Sequence, residues 1–170
     1  MVWNDTDTPL AYFVTFRTYG TWLHGDARGS TSRHHNVYRT PKLRHEPKWL
    51  DINGRRMLRN SVILNAQQRR AVEDAITACC QIRCWALFAM HVRTNHGHVV
   101  IHAPQTGISR VLNALKANAT RLMRVNGLWD LKQSPWADKG STRLLWNQES
   151  IQRACHYVKY GQGDELIDFD

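Results

Sequence analysis

The sequence predicts an α+β sandwich in which one antiparallel sheet is covered by helices. Three observations carry this expectation: short runs of alternating branched and aromatic residues, two long stretches of helical periodicity, and a three-residue connection that makes two of the strands a hairpin. The 170 residues, 42% of them hydrophobic, suffice for one domain with one core.

The first strand is expected in "LAYFVTFRTY", Leu10 to Tyr19, where Tyr12, Val14 and Phe16 alternate with Phe13 and Thr15. From His24 to Asn60 hydrophobic periodicity vanishes, so residues 24–60 read as a long basic insertion without regular structure. "NAQQRRAVEDAITACCQIR" follows as a helix from Asn65, with Ala71, Ala75, Ile76 and Cys79 on its inward stripe. "CWALFAMHV" and "HGHVVIHAP" read as strands joined by "RTN", too short a link for anything but a hairpin. "ISRVLNALKANATRLMRV" is helical, with Val111, Leu112, Leu115 and Leu122 inward and Arg110, Lys116, Arg121 and Arg124 outward. "STRLLW" supplies a fourth strand, and "NQESIQRACHYVKY" a last helix capped by Asn147. The order β, α, β, β, α, β, α suggests the ferredoxin-like arrangement, in a single domain over 1–170.

Charge is the strongest global signal. Lys and Arg number 23 against 14 Asp and Glu, a balance that favours polyanions such as nucleic acid. Seven Arg and two Lys against three acids fall in the insertion, so phosphate contacts are expected at Arg33, Arg39, Arg55 and Arg56, with Lys116 and Arg121 added from the helix. Tyr38, Trp49 and the Arg residues are of the types that stack on unpaired bases. His34, His35 and His45 read as DNA contacts or plain surface. Cys79, Cys80, Cys84 and Cys155 show neither a metal-ligand spacing nor a disulfide framework, and the three around Cys80 read as core filler. The start "MVWNDTDTPL" carries no basic and apolar leader, and no apolar run reaches membrane-span length. A reduced, cytoplasmic protein with no membrane role is expected.

His96 and His98 lie two apart in a strand and therefore share a face, with Gly97, Val99 and Ile101 on the other. Two neutral imidazoles side by side on a rigid sheet are suited to hold a metal ion. Gly97 is expected to leave room for a neighbouring helix or backbone. His102, on the same face, is expected to meet phosphate or solvent rather than metal.

"MHVRTNHGHVVI" resembles the histidine, hydrophobic residue, histidine signature of the HUH nucleases in the form used by small single-tyrosine transposases; Met90, Asn95, His96, His98 and Val99 fit, and Gly97 departs. "RACHYVKYGQGDE" resembles the tyrosine-bearing helix of transposases associated with repetitive extragenic palindromes, with "GQG" where those carry an Asn-Pro-Val segment. "YFVTFRTYGTWLHGDARGS" and "WADKGSTRLLW" are similar to a further branch grouped with these enzymes. The resemblance, to the HUH single-tyrosine transposases of the IS200-like and REP-associated kind, implies Tyr157 as nucleophile rather than Tyr160. It also implies a divalent ion, Mg²⁺ or Mn²⁺, on His96 and His98, and a 5′-phosphotyrosine link to hairpin or single-stranded DNA, by a monomer or a homodimer. The position that usually adds a third ligand is here Gly161, so Gln162 is the expected oxygen donor, swung back by unwinding at Gly161 and Gly163. A hairpin DNA or RNA binder without cleavage is the alternative. A zinc hydrolase fits poorly, since two histidines leave a zinc site incomplete.

Overall fold

The structure, a computed structural model, describes residues 8–23 and 45–163. Its elements are β1 (Ala11–Arg17), α1 (Pro47–Arg55), α2 (Ala66–Ile82), β2 (Ala86–Val92), β3 (His96–His102), α3 (Ile108–Val125), β4 (Ser141–Leu145) and α4 (Gln148–Tyr160). The strands form one sheet in the order β2-β3-β1-β4, every neighbouring pair antiparallel. This is the expected ferredoxin-like α+β order, with β1 and β3 in the centre.

Period-two alternation divides the sheet between two cores. Val14, Phe16, Val99 and Ile101 face α2 and α3, and meet Val72, Ile76, Val111, Leu115 and Met123. Val100, with Ala11, Ala89 and Leu145, faces α4 through Ile151, Ala154 and Val158. Burying each large aliphatic chain stabilises the fold by about 1.5–3 kcal/mol. On α3 the inward stripe differs by one place: Met123 is fully buried while Leu122 is only half-buried.

The cap expected at Asn147 forms, and Asn65 caps α2 in the same way. Asn65 Oδ1 accepts from Gln68 N at 2.8 Å while Gln68 Oε1 accepts from Asn65 N at 3.0 Å. Asn147 Oδ1 accepts from Ser150 N at 2.8 Å, which fixes where α4 begins.

Further details come from the structure. The insertion contains helix α1, whose Pro47 sits at the first turn; it buries no residue, so it left no apolar stripe in the sequence. Gly97 accommodates neither a helix nor another backbone but the ring of Phe16, which a Cβ there would approach to 2.5 Å. Cys84 is exposed at a positive φ of 54° rather than core filler, because α2 has already ended. His102 is tied to the main chain, its Nδ1–H donating to the Leu10 carbonyl at 2.7 Å.

Candidate active site

The register of the central strands builds the site. Thr15 of β1 and His91 of β2 stand opposite His98, and Arg17 stands opposite His96. All lie on the α4 side of the sheet, since antiparallel partners share a face. The two imidazole centroids are 4.8 Å apart at an interplanar angle of 73°. His98 is 7% exposed and stacks on Phe13 at 5.5 Å.

Helix α4 brings Tyr157 to this pair. Ile151, Ala154 and Val158 anchor the helix in the sheet, and the next position round its circumference places the Tyr157 ring 5.6 Å from that of His98. Tyr157 is 46% exposed, so substrate can reach it. His91 Nδ1–H donates to the Val158 carbonyl at 3.2 Å and pins the helix to β2. Tyr160 is 72% exposed and turns to His156 instead, with ring centroids 5.0 Å apart.

Beyond Tyr160 the helix ends and Gln162 folds back. Its Oε1 lies 3.2 Å from His96 Nε2, and it also interacts with His98. Gly163 takes the left-handed φ of +80° that was expected, but Gly161 does not, with φ −91°. Gly161 matters for space: a Cβ there would lie 2.6 Å from Cδ2 of the Tyr157 ring.

Both imidazoles are kept neutral. Burial pushes His98 down to about 3, with the His96 ring and Arg17 adding to the shift. Burial lowers His96 as well, against the opposing pull of Gln162. Their Nδ1 atoms are engaged at the back: His96 Nδ1 is 2.6 Å from Asn95 Oδ1, and His98 Nδ1 is 2.8 Å from Thr15 Oγ1. A neutral His96 that donates Nδ1–H to the Asn95 oxygen presents a lone pair at Nε2. That lone pair faces another acceptor, the Gln162 oxygen, whose amide is held in this sense by Nε2–H donating to the Tyr157 carbonyl at 3.4 Å. Two acceptors aimed at each other are the arrangement a cation resolves, and outer oxygens on the remote ring nitrogens are usual behind metal-binding histidines. The residues present therefore fit a hard divalent ion held by His96, His98 and Gln162. Among the described residues no group of three His, Cys, Asp or Glu gathers at one point, so the amide is the third donor on offer.

Sequence reasoning missed Thr15, Phe13 and Arg17 as parts of this site. Only the β1–β3 register could have found them.

The expected DNA contacts divide. Arg33, Arg39, Tyr38, His34 and His35 lie outside the described residues. Arg55 is paired with Asp51 at 2.9 Å on the exposed face of α1, and Arg56 and His45 are exposed. Lys116 is not outward: it is half-buried, its ammonium donating to the carbonyls of Ala137, at 2.8 Å, and of Lys139. It still forms the floor of a groove of about 550 Å³ between α3 and the following loop, with Arg121, Arg124 and Lys132 on its sides and no acid in its lining.

An antiparallel sheet backed by two helices, with a histidine pair and a tyrosine helix on its other face, defines an α+β protein of the kind found among transposases. The chain belongs to the IS200-like transposase family, whose pattern matches residues 55–159. Among solved structures, a REP-associated tyrosine transposase bound to a REP hairpin is similar at 12% identity and a TM-score of 0.53, over 95% of this chain and 69% of that one. A presumed transposase from Deinococcus radiodurans R1 is similar at 13% identity and a TM-score of 0.44, over 94% and 95%. No curated protein matches the sequence. Among the described residues no helix is long and apolar enough to cross a membrane.

Proposed function

We propose that this transposase is a metal-dependent endonuclease and strand transferase acting on single-stranded DNA beside a hairpin, through a covalent phosphotyrosine. The observation that carries the reading is the convergence of Tyr157, His98, His96 and Gln162 at one point of the sheet. The Tyr157 oxygen attacks the scissile phosphorus, the bond to the 3′-oxygen breaks, and that oxygen leaves as a 3′-hydroxyl after taking a proton. The 5′-phosphate stays on the tyrosine, so the energy of the broken ester is kept for rejoining. His96, His98 and Gln162 would hold a divalent ion, which would supply Lewis acidity toward the phosphate oxygen and favour the phenolate. Thr15 and Asn95 hold the imidazoles in orientation, and Arg17 adds positive charge beside them. The groove floored by Lys116, together with Arg55 and Arg56 and with Arg33 and Arg39 of the insertion, supplies the cationic surface for the phosphate backbone.

The experiment is incubation with labelled hairpin oligonucleotides and Mn²⁺, read as a band shift that survives denaturant. Tyr157→Phe should abolish the adduct and leave hairpin binding within a few fold, whereas Tyr160→Phe should retain it. An adduct lost only with Tyr160 would transfer the role to that residue; binding without any adduct would make the protein a hairpin binder that does not cleave.

A further inference from the structure

The tyrosine helix leaves one corner of the sheet uncovered. α4 begins just after β4 ends and is seated there on Leu145 through Ile151 and Ala154. By Val158 it has crossed to β2, where the Val158 carbonyl accepts from His91. The corner it leaves behind has Phe13 and Thr15 of β1 beside Arg143 and Ser141 of β4, since Phe13 pairs with Arg143 and Thr15 with Ser141. Ser141 and Arg143 are exposed, whereas Leu145, two places on and therefore on the same face, is fully buried.

Tyr157 borders this corner. Its ring meets Phe13 edge-on at 6.0 Å and His98 at 5.6 Å, and Phe13 stacks on His98. A phosphate within reach of the Tyr157 oxygen thus has the histidine pair on one side and, across the Phe13 ring, Arg143 on the other. None of the four strands carries an acid, and apart from imidazoles the only charged side chains on this face are Arg17 and Arg143. Arg17 stands opposite His96 with its guanidinium over the Trp22 ring, four residues from Phe13 and so about 13 Å away along the strand. Arg143 is the cation at the other flank, where the tyrosine is.

The chemistry has a use for it. While the bond from the Tyr157 oxygen to phosphorus forms and the bond to the 3′-oxygen breaks, negative charge is carried by two non-bridging oxygens that point apart. The histidine side of the site meets one of them. A guanidinium offers its N–H donors in a fixed planar fork suited to the other, and its long stem lets it reach back over Phe13 from the neighbouring strand.

We propose that Arg143 is a catalytic residue of the strand transfer, donating to the non-bridging oxygen of the scissile phosphate that is turned away from His96 and His98. The assignment rests on the strand-transferase reading. Its test times adduct formation with Mn²⁺ and saturating hairpin DNA, the cleaved linkage being read first from the length of the released strand. Arg143→Ala should slow the reaction about a hundredfold, the scale of one lost donor at developing charge. Its melting temperature should stay unchanged, and in the Tyr157→Phe background the same substitution should leave hairpin affinity within a few fold. Arg143→Lys, which keeps the charge without the fork, should recover part of the rate. The contact is then located by a methylphosphonate at the cleaved linkage, which replaces one charged oxygen by a methyl group. One of its two stereoisomers should slow the wild-type protein but leave Arg143→Ala no slower than it is on phosphate. A wild-type rate in Arg143→Ala, or a loss that vanishes at saturating DNA, overturns the assignment alone and leaves Arg143 as a charge guarding the sheet edge. Further slowing of Arg143→Ala by both stereoisomers also overturns it. No adduct from the wild-type protein overturns the transferase reading and this role with it.

Discussion

Gln162 and Gly161 show how single side chains set this site. In the proposed metal site Gln162 would contribute an amide where an ionised ligand would bind metal more strongly, so its loss should be felt in metal demand before anything else. Gln162→Ala is expected to raise the Mn²⁺ needed for half-maximal adduct formation roughly tenfold, the scale seen when a supporting metal contact is removed. An unchanged metal requirement would exclude the amide as a ligand. Gly161 acts by what it lacks. Gly161→Ala puts a methyl 2.6 Å from the Tyr157 ring, which is half-exposed and free to swing outward. Adduct formation should fall at least about tenfold, since an ångström of misplacement at a reacting group costs up to about a hundredfold. The melting temperature should fall as well, because the same methyl would lie 2.8 Å from the Tyr157 carbonyl oxygen, a main-chain atom that cannot swing aside; adduct formation measured well below that midpoint separates the two effects.

At the scale of elements, α4 is a short helix that holds Tyr157, the proposed nucleophile, near its C-terminal end. Its start is set by the reciprocal bonds between Asn147 and Ser150, and its seat by Ile151, Ala154 and Val158. Asn147→Ala should cost about 1 kcal/mol and lower the melting temperature by about 2–4 °C in a chain of this size. Adduct formation should persist, because Tyr157 lies about 15 Å further along the helix axis and is positioned by the sheet rather than by the cap. A loss of activity larger than the loss of stability would mean that the cap, not the sheet, positions the tyrosine. On the sheet itself, Gly97 has the same logic as Gly161: β3 can carry its histidines on one face because the opposite face yields its space to Phe16.

For the whole molecule, the buried histidine couples folding to pH. His98 titrates at about 3 in the folded chain and near 6.5 when unfolded, so between those values the unfolded state binds the extra proton. Stability from this residue is complete above about pH 6.5 and is lost as pH falls toward 3, at up to about 1.4 kcal/mol per pH unit. Denaturant midpoints measured with chelator present should fall across this window, and the fall should be shallower in His98→Asn. Equal slopes in the two proteins would place the acid sensitivity elsewhere. A metal ion favours the same neutral imidazoles, so adding Mn²⁺ should shift the acid limb to lower pH.

The sequence by itself determined the elements whose two faces differ in chemistry. Alternation marked β1, the three-residue link marked the β2–β3 hairpin, and the stripe of Ala71, Ala75, Ile76 and Cys79 marked α2. The His96 and His98 pair was legible for the same reason: a strand's period of two is a local property, as is the helical phase that puts Tyr157 on a fixed side of α4. Helix α1 was not legible, because a helix that buries nothing imposes no period on its residues. Nor was the turning in of Lys116, which depends on carbonyls at 137 and 139, more than twenty positions away in the chain. What only the tertiary structure decided was register and approach: that Thr15 backs His98, that Arg17 joins His96 to Trp22, and that Gln162 returns to the histidines from beyond the helix end. These are meetings between residues distant in the chain, and they are fixed by the strand order β2-β3-β1-β4 and by the core that seats α4, neither of which any single segment encodes.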